Sequence, residues 1–277
     1  MEIKKLTGSL GAEIYDVDLS NHIDDNLFKL INQALLDNLV IVFRDQNLSP
    51  ERQIEISKMF GELNTHPYIK GNSKYPEIID VITNPDDTGN FGGDWHADVT
   101  FLDEPDAITL LYAVELPSYG GDTLFSNQIL VYEKMSEKMK EFIDKLHSKH
   151  TVGLVFGKGG YYSNNNLSGV GTDNQSKANT EVIHPLVVTH PVTGKKSLYV
   201  NWSYTNRIVE LSVEESKAIL KLLFAASTKE VFTCRVKWEP GTLAIWDNRS
   251  VIHNALHDYK GQRRVMRRTT IKGKKPY

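Results

Sequence analysis

"QRRVMRRTTIKG", residues 262–273, decides how the rest of the chain is read. On an extended strand alternate residues share a face, so Arg264, Met266, Arg268 and Thr270 point one way and Arg263, Val265, Arg267, Thr269 and Ile271 the other. Arg264 and Arg268 would then share a face with their backbones about 13 Å apart, at roughly 3.3 Å per residue. If that face lines the inside of a β-barrel, two buried guanidinium groups need two anions. These are either Asp or Glu side chains or two small anionic molecules, because a guanidinium binds carboxylate and sulfonate-like groups in a bidentate manner.

Upstream of this strand the sequence "VFTCRVKWEPGTLAIWDNRSVIHNALHDY" (231–259) reads as further short strands broken by a Glu-Pro-Gly turn. "IIDVIT", "HADVTF" and "AITLLYAVEL" read as strands in the middle of the chain, with "PSYGGDT" as a turn. Helices are predicted at 24–38, from Pro50 to Gly61, at 128–146 and at 212–227, and "LVIVF" (39–43) as a strand. The fold class expected is mixed α+β with a mainly β core, a barrel-like jelly roll decorated by helices. Residues 1–277 read as one domain. "GKGGYYSNNNLSGVGTDNQSKANT", about 157–180, is rich in Gly, Asn and Ser and has the length and polarity of a lid loop.

A net charge of −3 over 277 residues gives no global attraction to nucleic acid. One cysteine, Cys234, excludes an internal disulfide, and no apolar run reaches membrane-spanning length, so a cytoplasmic protein without a membrane partner is expected. A homo-oligomer is compatible with this composition.

"GGDWHADVTF" (92–101) carries His96 and Asp98 two residues apart, a spacing that lets both side chains reach one cation from an extended chain. The spacing recurs at His22-Ile23-Asp24, where Leu27, Phe28, Ile31, Ala34 and Leu35 follow at helical intervals and Asp24 suits an N-cap. That copy reads as a helix start. Oxygen chemistry at a metal needs two histidines and one carboxylate with coordination positions left open. The third ligand is His253 or His257, between which residue chemistry alone does not choose.

Taken in order, His96-x-Asp98, "ELPSYGGDTLFSN" (115–127) and "WDNRSVIHNALHDYKGQRRVMRRTTIKG" (246–273) resemble the taurine dioxygenase family of iron(II)- and 2-oxoglutarate-dependent oxygenases. "LVIVFRDQNLSPE", "FGELNTHP" and "HPLVVTHPVTGKKSLYVN" extend the resemblance from about residue 8 to the C-terminus. It implies a double-stranded β-helix and three iron ligands, His96, Asp98 and His253. It also implies that Thr123 and Arg264 bind 2-oxoglutarate, and that Arg268 holds the acidic head of the prime substrate. His66, Phe156 and Tyr204 fall on substrate-pocket positions. The implied cofactor is Fe(II), with 2-oxoglutarate and O2 as cosubstrates. The partner is a small anionic molecule, a sulfonate or sulfate ester in the first instance, with aryloxy or other carboxylic acids as the alternative.

Two positions depart from the taurine-specific pattern. Gly92 stands where those members carry asparagine, and Ile69 where they carry tyrosine, the aromatic here being Tyr68. A roomier pocket beside the metal and a substrate bulkier than taurine are the expectation. Asp98 argues against halide chemistry, which needs the carboxylate position vacated. A non-catalytic metal-binding barrel is the rival of a different class, and the Thr123–Arg264 pair weighs against it.

Overall fold

The computed structural model describes residues 1–171 and 180–277. Its framework is an eight-stranded sheet running, by neighbours, Glu2–Lys5, Ala12–Tyr15, Val40–Phe43, Leu243–Asp247, Ile108–Glu115, Arg264–Ile271 and Leu63–Asn64, with Ile79–Thr83 also paired to Arg264–Ile271. The central strands are buried on both faces, and strict alternation divides their side chains between two cores. Val40, Val42, Leu111, Ala113, Ala244, Trp246 and Met266 face one. Ile41, Phe43, Leu110, Tyr112, Leu243 and Ile245 face the other, with Ile31 and Leu35 of helix Asp25–Asn38 and Ile56 of helix Pro50–Phe60. Period-2 patterning therefore works here without a solvated face.

Across the first core lies a three-stranded sheet with Thr123–Asn127 between Thr233–Val236 and Val251–Ala255. Phe125, Val236 and Val251 meet the large sheet there. Arg264, Met266, Arg268 and Thr270 share the face that turns inward, as alternation requires. Arg267 and Thr269 turn outward beneath helix Pro50–Phe60, where Arg267 Nε donates to Gln53 Oε1 at 2.8 Å and Thr269 Oγ1 lies 2.7 Å from Ser57 Oγ. The molecule is thus mostly β with helices packed outside. Among the described residues no helix is long and apolar enough to cross a membrane.

Asp24 caps the first helix by accepting from Leu27 N, which explains the decoy His22-x-Asp24. Pro50 opens the second helix, as expected. Three expectations need correction. "HADVTF" is not a strand: His96 forms an isolated bridge and the chain then turns, with Val99 in the left-handed region at φ 47°. The helix expected at 128–146 is two, Gln128–Glu133 and Glu137–Ile143, because the Ser136 side chain accepts from Met139 N and starts a new helix. Of the expected 157–180 lid, residues 172–179 lie outside the described residues. Residues 157–171 include a short helix, Tyr161–Asn164, and Val170 and Tyr162 do pack on the main core. A polar composition hid these two anchors.

Candidate active site

The site lies between the two sheets and is assembled by backbone pairing. His96 N donates to His253 O at 2.9 Å and His253 N to His96 O at 2.7 Å, which sets the two imidazoles side by side, 4.1 Å between ring centres. The turn after His96 brings Asp98 Oδ1 to 3.6 Å from His96 Nε2 and 3.8 Å from His253 Nε2. One ligand atom from each of the three lies within 4.8 Å of the others, an arrangement able to hold a metal ion. His257 is outside this group, half-buried and packed near Tyr259.

Hydrogen bonds orient the three. His96 Nδ1 donates to Asp94 O at 2.7 Å, which leaves its Nε2 lone pair facing the cluster. Thr109 Oγ1 donates to Asp98 Oδ2 at 2.6 Å and leaves Oδ1 toward the histidines. His253 Nδ1 is buried with no hydrogen-bond partner among the described residues. Burial pushes the pKa of both histidines down, and for His253 the neighbouring His96 adds to the fall. Burial would raise the Asp98 carboxyl, but Arg268 and the two imidazoles hold it well below the usual carboxylate range. Two neutral imidazoles and one carboxylate are the protonation states a metal requires.

Two inward arginines complete the polar interior. Arg268, 4% exposed, places Nη2 3.1 Å from Asp98 Oδ1 and 3.9 Å from Asp106 Oδ2. The charges are close but not aligned for hydrogen bonding, and Arg268 Nε and Nη2 have no such partner among the described residues. Arg264, also 4% exposed, lies over the Trp238 ring at 5.8 Å, and its Nε and Nη2 are likewise unpartnered. Trp238 Nε1 donates to Thr123 Oγ1 at 3.0 Å, so Thr123 and Arg264 border one recess together with His96, Asp98 and His253. Gly121, at φ 73°, shapes this wall: a Cβ there would stand 3.2 Å from Arg264 Nε.

A cavity of about 250 Å³ opens beside the cluster, bordered by His66, Tyr204 and Arg268. His66 Nδ1 accepts from Tyr68 N and Ile69 N, both at 3.0 Å, so its proton is on Nε2. Burial and the nearby Arg268 push its pKa down to about 3. Tyr204 packs edge-on to His96 and Phe101, with burial raising its hydroxyl pKa. Phe156 stands one layer behind the wall, stacked on Tyr68 and Tyr162, while its helix neighbours Leu154 and Val155 border the cavity. Ile69 is buried in the aromatic cluster and not on the cavity wall.

Sequence reasoning missed Phe91, Tyr161, Tyr162 and Trp202, which border the same cavity, and Asp106 behind Arg268. The adjacent tyrosines in an otherwise small, polar loop were the available signal. A larger cavity, about 370 Å³, lies near the C-terminal segment. Of the four cations that border it, Arg249, Lys272 and Lys275 are already paired with Asp247, Glu62 and Asp103, leaving Lys274, and no ligand cluster among the described residues borders it.

Residues 2–270 match the family described as "Taurine catabolism dioxygenase TauD, TfdA family". The chain belongs to this family. It is 33% identical to an alkylsulfatase of Acinetobacter baylyi, over 99% of this chain and 85% of that one. With an alpha-ketoglutarate-dependent sulfate ester dioxygenase of Pseudomonas putida it shares 31% identity, over 100% of this chain and 91% of the other. A solved structure of a taurine dioxygenase from Burkholderia xenovorans superposes with a TM-score of 0.85 at 33% identity, covering 99% of this chain and 92% of that one. The chain is accordingly an oxidoreductase of the 2-oxoglutarate-dependent dioxygenase class.

Proposed function

We propose that this enzyme hydroxylates a small anionic sulfonate or sulfate ester, using Fe(II) held by His96, Asp98 and His253. One observation carries the proposal: two buried arginines with unpartnered guanidinium nitrogens flank a His-Asp-His cluster. The donor set suits non-haem iron, and buried guanidinium groups with unsatisfied N–H donors call for anionic acceptors, for Arg268 beyond the nearby Asp98 and Asp106 carboxylates. Arg264 and Thr123 receive the far carboxylate of 2-oxoglutarate, and Arg268 the head of the substrate. His66, kept neutral, offers Nε2–H at the same end of the cavity, and Tyr204, backed by Phe156, supplies apolar surface.

Iron, 2-oxoglutarate and O2 together supply the oxidation, in which a substrate C–H becomes C–OH while succinate and CO2 are released. The chain's own contribution is placement. Thr109 and the Asp94 carbonyl orient two of the ligands, the arginines fix both anions, and the aromatic wall excludes water. Hydroxylation at a carbon bearing a sulfate ester oxygen gives a product that collapses to an aldehyde and inorganic sulfate. We further propose a single domain closed as a double-stranded β-helix, since one core draws on residues from Leu10 to Met266. Of the segment expected as its lid, the described residues 157–171 cover the cavity through Tyr161 and Tyr162.

The test is succinate release over a panel of sulfonates, alkyl sulfates, aryloxy acids and their neutral analogues. Arg268→Ala is expected to lower kcat/KM for the preferred acid roughly 30-fold or more, the loss of a buried charge-assisted partner being about 2–5 kcal/mol. A neutral analogue that turns over as well as its acid refutes the anionic-substrate assignment.

A further inference from the structure

We propose that Tyr162 is a specificity-determining residue, whose hydroxyl donates a hydrogen bond to the tetrahedral anionic head that Arg268 holds. The assignment rests on the oxygenase reading above and adds a residue to it. Position 92 has no side chain and admits none cheaply: its φ is +76°, and a Cβ would stand 2.9 Å from His96 Cε1. The Tyr162 phenol approaches the Gly92 backbone from the facing short helix, and the Gly92 amide interacts with its oxygen. The backbone that lacks a side chain beside the metal cluster thus meets a hydroxyl on its amide side.

Three features make that hydroxyl a donor to a ligand. Its oxygen is engaged by an amide, which leaves the phenolic proton for another acceptor. Burial raises its pKa well above 10, so the proton stays on at neutral pH. The ring is fixed in plane, stacked on Phe156 at 4.6 Å and 10° and packed against Phe91 at 6.1 Å. The helix itself is docked by its other tyrosine. Asn90 N donates to Tyr161 Oη at 3.3 Å, and a Cβ at Gly89 or Gly93 would stand 2.8 Å from that oxygen.

Tyr162, His66 and Arg268 border one cavity, and the Arg268 charge acts on both of the others. Three donors arriving from three segments match the three terminal oxygens of a sulfonate or sulfate better than the two of a carboxylate. The site should therefore prefer the sulfur oxyanion, and Tyr162 should carry part of that preference.

The experiment is calorimetric binding of hexyl sulfate and of heptanoate to protein loaded with Mn(II) and N-oxalylglycine, wild type against Tyr162→Phe. The variant retains the ring stacking and loses only the hydroxyl. Hexyl sulfate affinity is expected to fall roughly 10- to 100-fold, the usual worth of a hydrogen bond to a charged group, and the sulfate-over-carboxylate preference to shrink with it. A change below two-fold, equal weakening of both probes, or no binding of hexyl sulfate by the loaded wild type overturns the proposal. Failure of Mn(II) and N-oxalylglycine to bind would instead remove the oxygenase reading on which it rests.

Discussion

Replacing Arg264 by Met should move two measurements in opposite directions. The guanidinium is buried, and two of its three nitrogens lack a hydrogen-bond partner among the described residues. Each unsatisfied buried polar group costs about 1–3 kcal/mol, a figure that water entering the adjoining recess reduces toward its lower end. Met has a comparable unbranched stem and no charge, so the cofactor-free variant is expected to gain about 1–3 kcal/mol. At ~2–4 °C per kcal/mol for a chain near this size, Tm should rise by several degrees. In the loaded protein the same cation has an anion to pair with, and its loss should weaken 2-oxoglutarate binding by about 2–5 kcal/mol, roughly 30-fold to several thousand-fold. Differential scanning calorimetry without ligands and anaerobic titration of the iron-to-2-oxoglutarate absorption band read the two effects. An unchanged 2-oxoglutarate affinity, or a large fall in Tm, would show that Arg264 is paired within the protein and does not serve as the anion clamp.

Alanine at His96, Asp98 or His253 should abolish stoichiometric Fe(II) binding and turnover, whereas His22→Ala and His257→Ala should retain both. Metal analysis after gel filtration checks this, and retained iron in His253→Ala would redirect the assignment to His257. Asp247, fully buried between Arg249 and His190, has its carboxyl pKa lowered to about 2, burial opposing and the Arg249 charge and His190 hydrogen bond prevailing. A depressed carboxyl stabilises above its unfolded pKa of about 3.9 and loses that contribution as pH falls toward about 2. The urea midpoints of wild type and Asp247→Asn should therefore differ most above pH ~4 and converge below it; a gap independent of pH in that window would contradict the ion-pair account.

Where alternation met a simple packing demand, it was readable. Val40–Phe43, Leu243–Asp247 and Arg264–Ile271 divide their side chains between two cores as period 2 requires, and the inward pair Arg264 and Arg268 follows from that alone. His253 could not be separated from His257 by spacing, because the choice is made by a two-residue bridge to His96 between segments far apart in sequence. The stretch His96–Phe101 misleads for a related reason. Apolar and polar residues alternate there as in a strand, but Val99 adopts a left-handed backbone that its β-branched side chain disfavours in isolation, held by surrounding contacts. Tyr162 and Trp202 reach the cavity only through tertiary docking, and no local pattern encodes that.

The outward anchoring of Arg267 bears on how the chain avoids misfolding. "RRVMRR" places arginines at 263, 264, 267 and 268, so a strand slipped by one residue would still present two guanidinium groups, Arg263 and Arg267, to the interior. Charge therefore cannot reject the mispaired register. Rejection falls to the helix Pro50–Phe60, where Gln53 grips the Arg267 side chain and carbonyl while Ser57 meets Thr269. That slip, which turns Arg263 and Arg267 inward, would bring Met266 to the place of Arg267 and Arg268 to that of Thr269, leaving the fully buried Gln53 and Ser57 without the partners that match their positions. A helix remote from the chemistry thereby acts as the proofreader that decides which two of four arginines the active site receives.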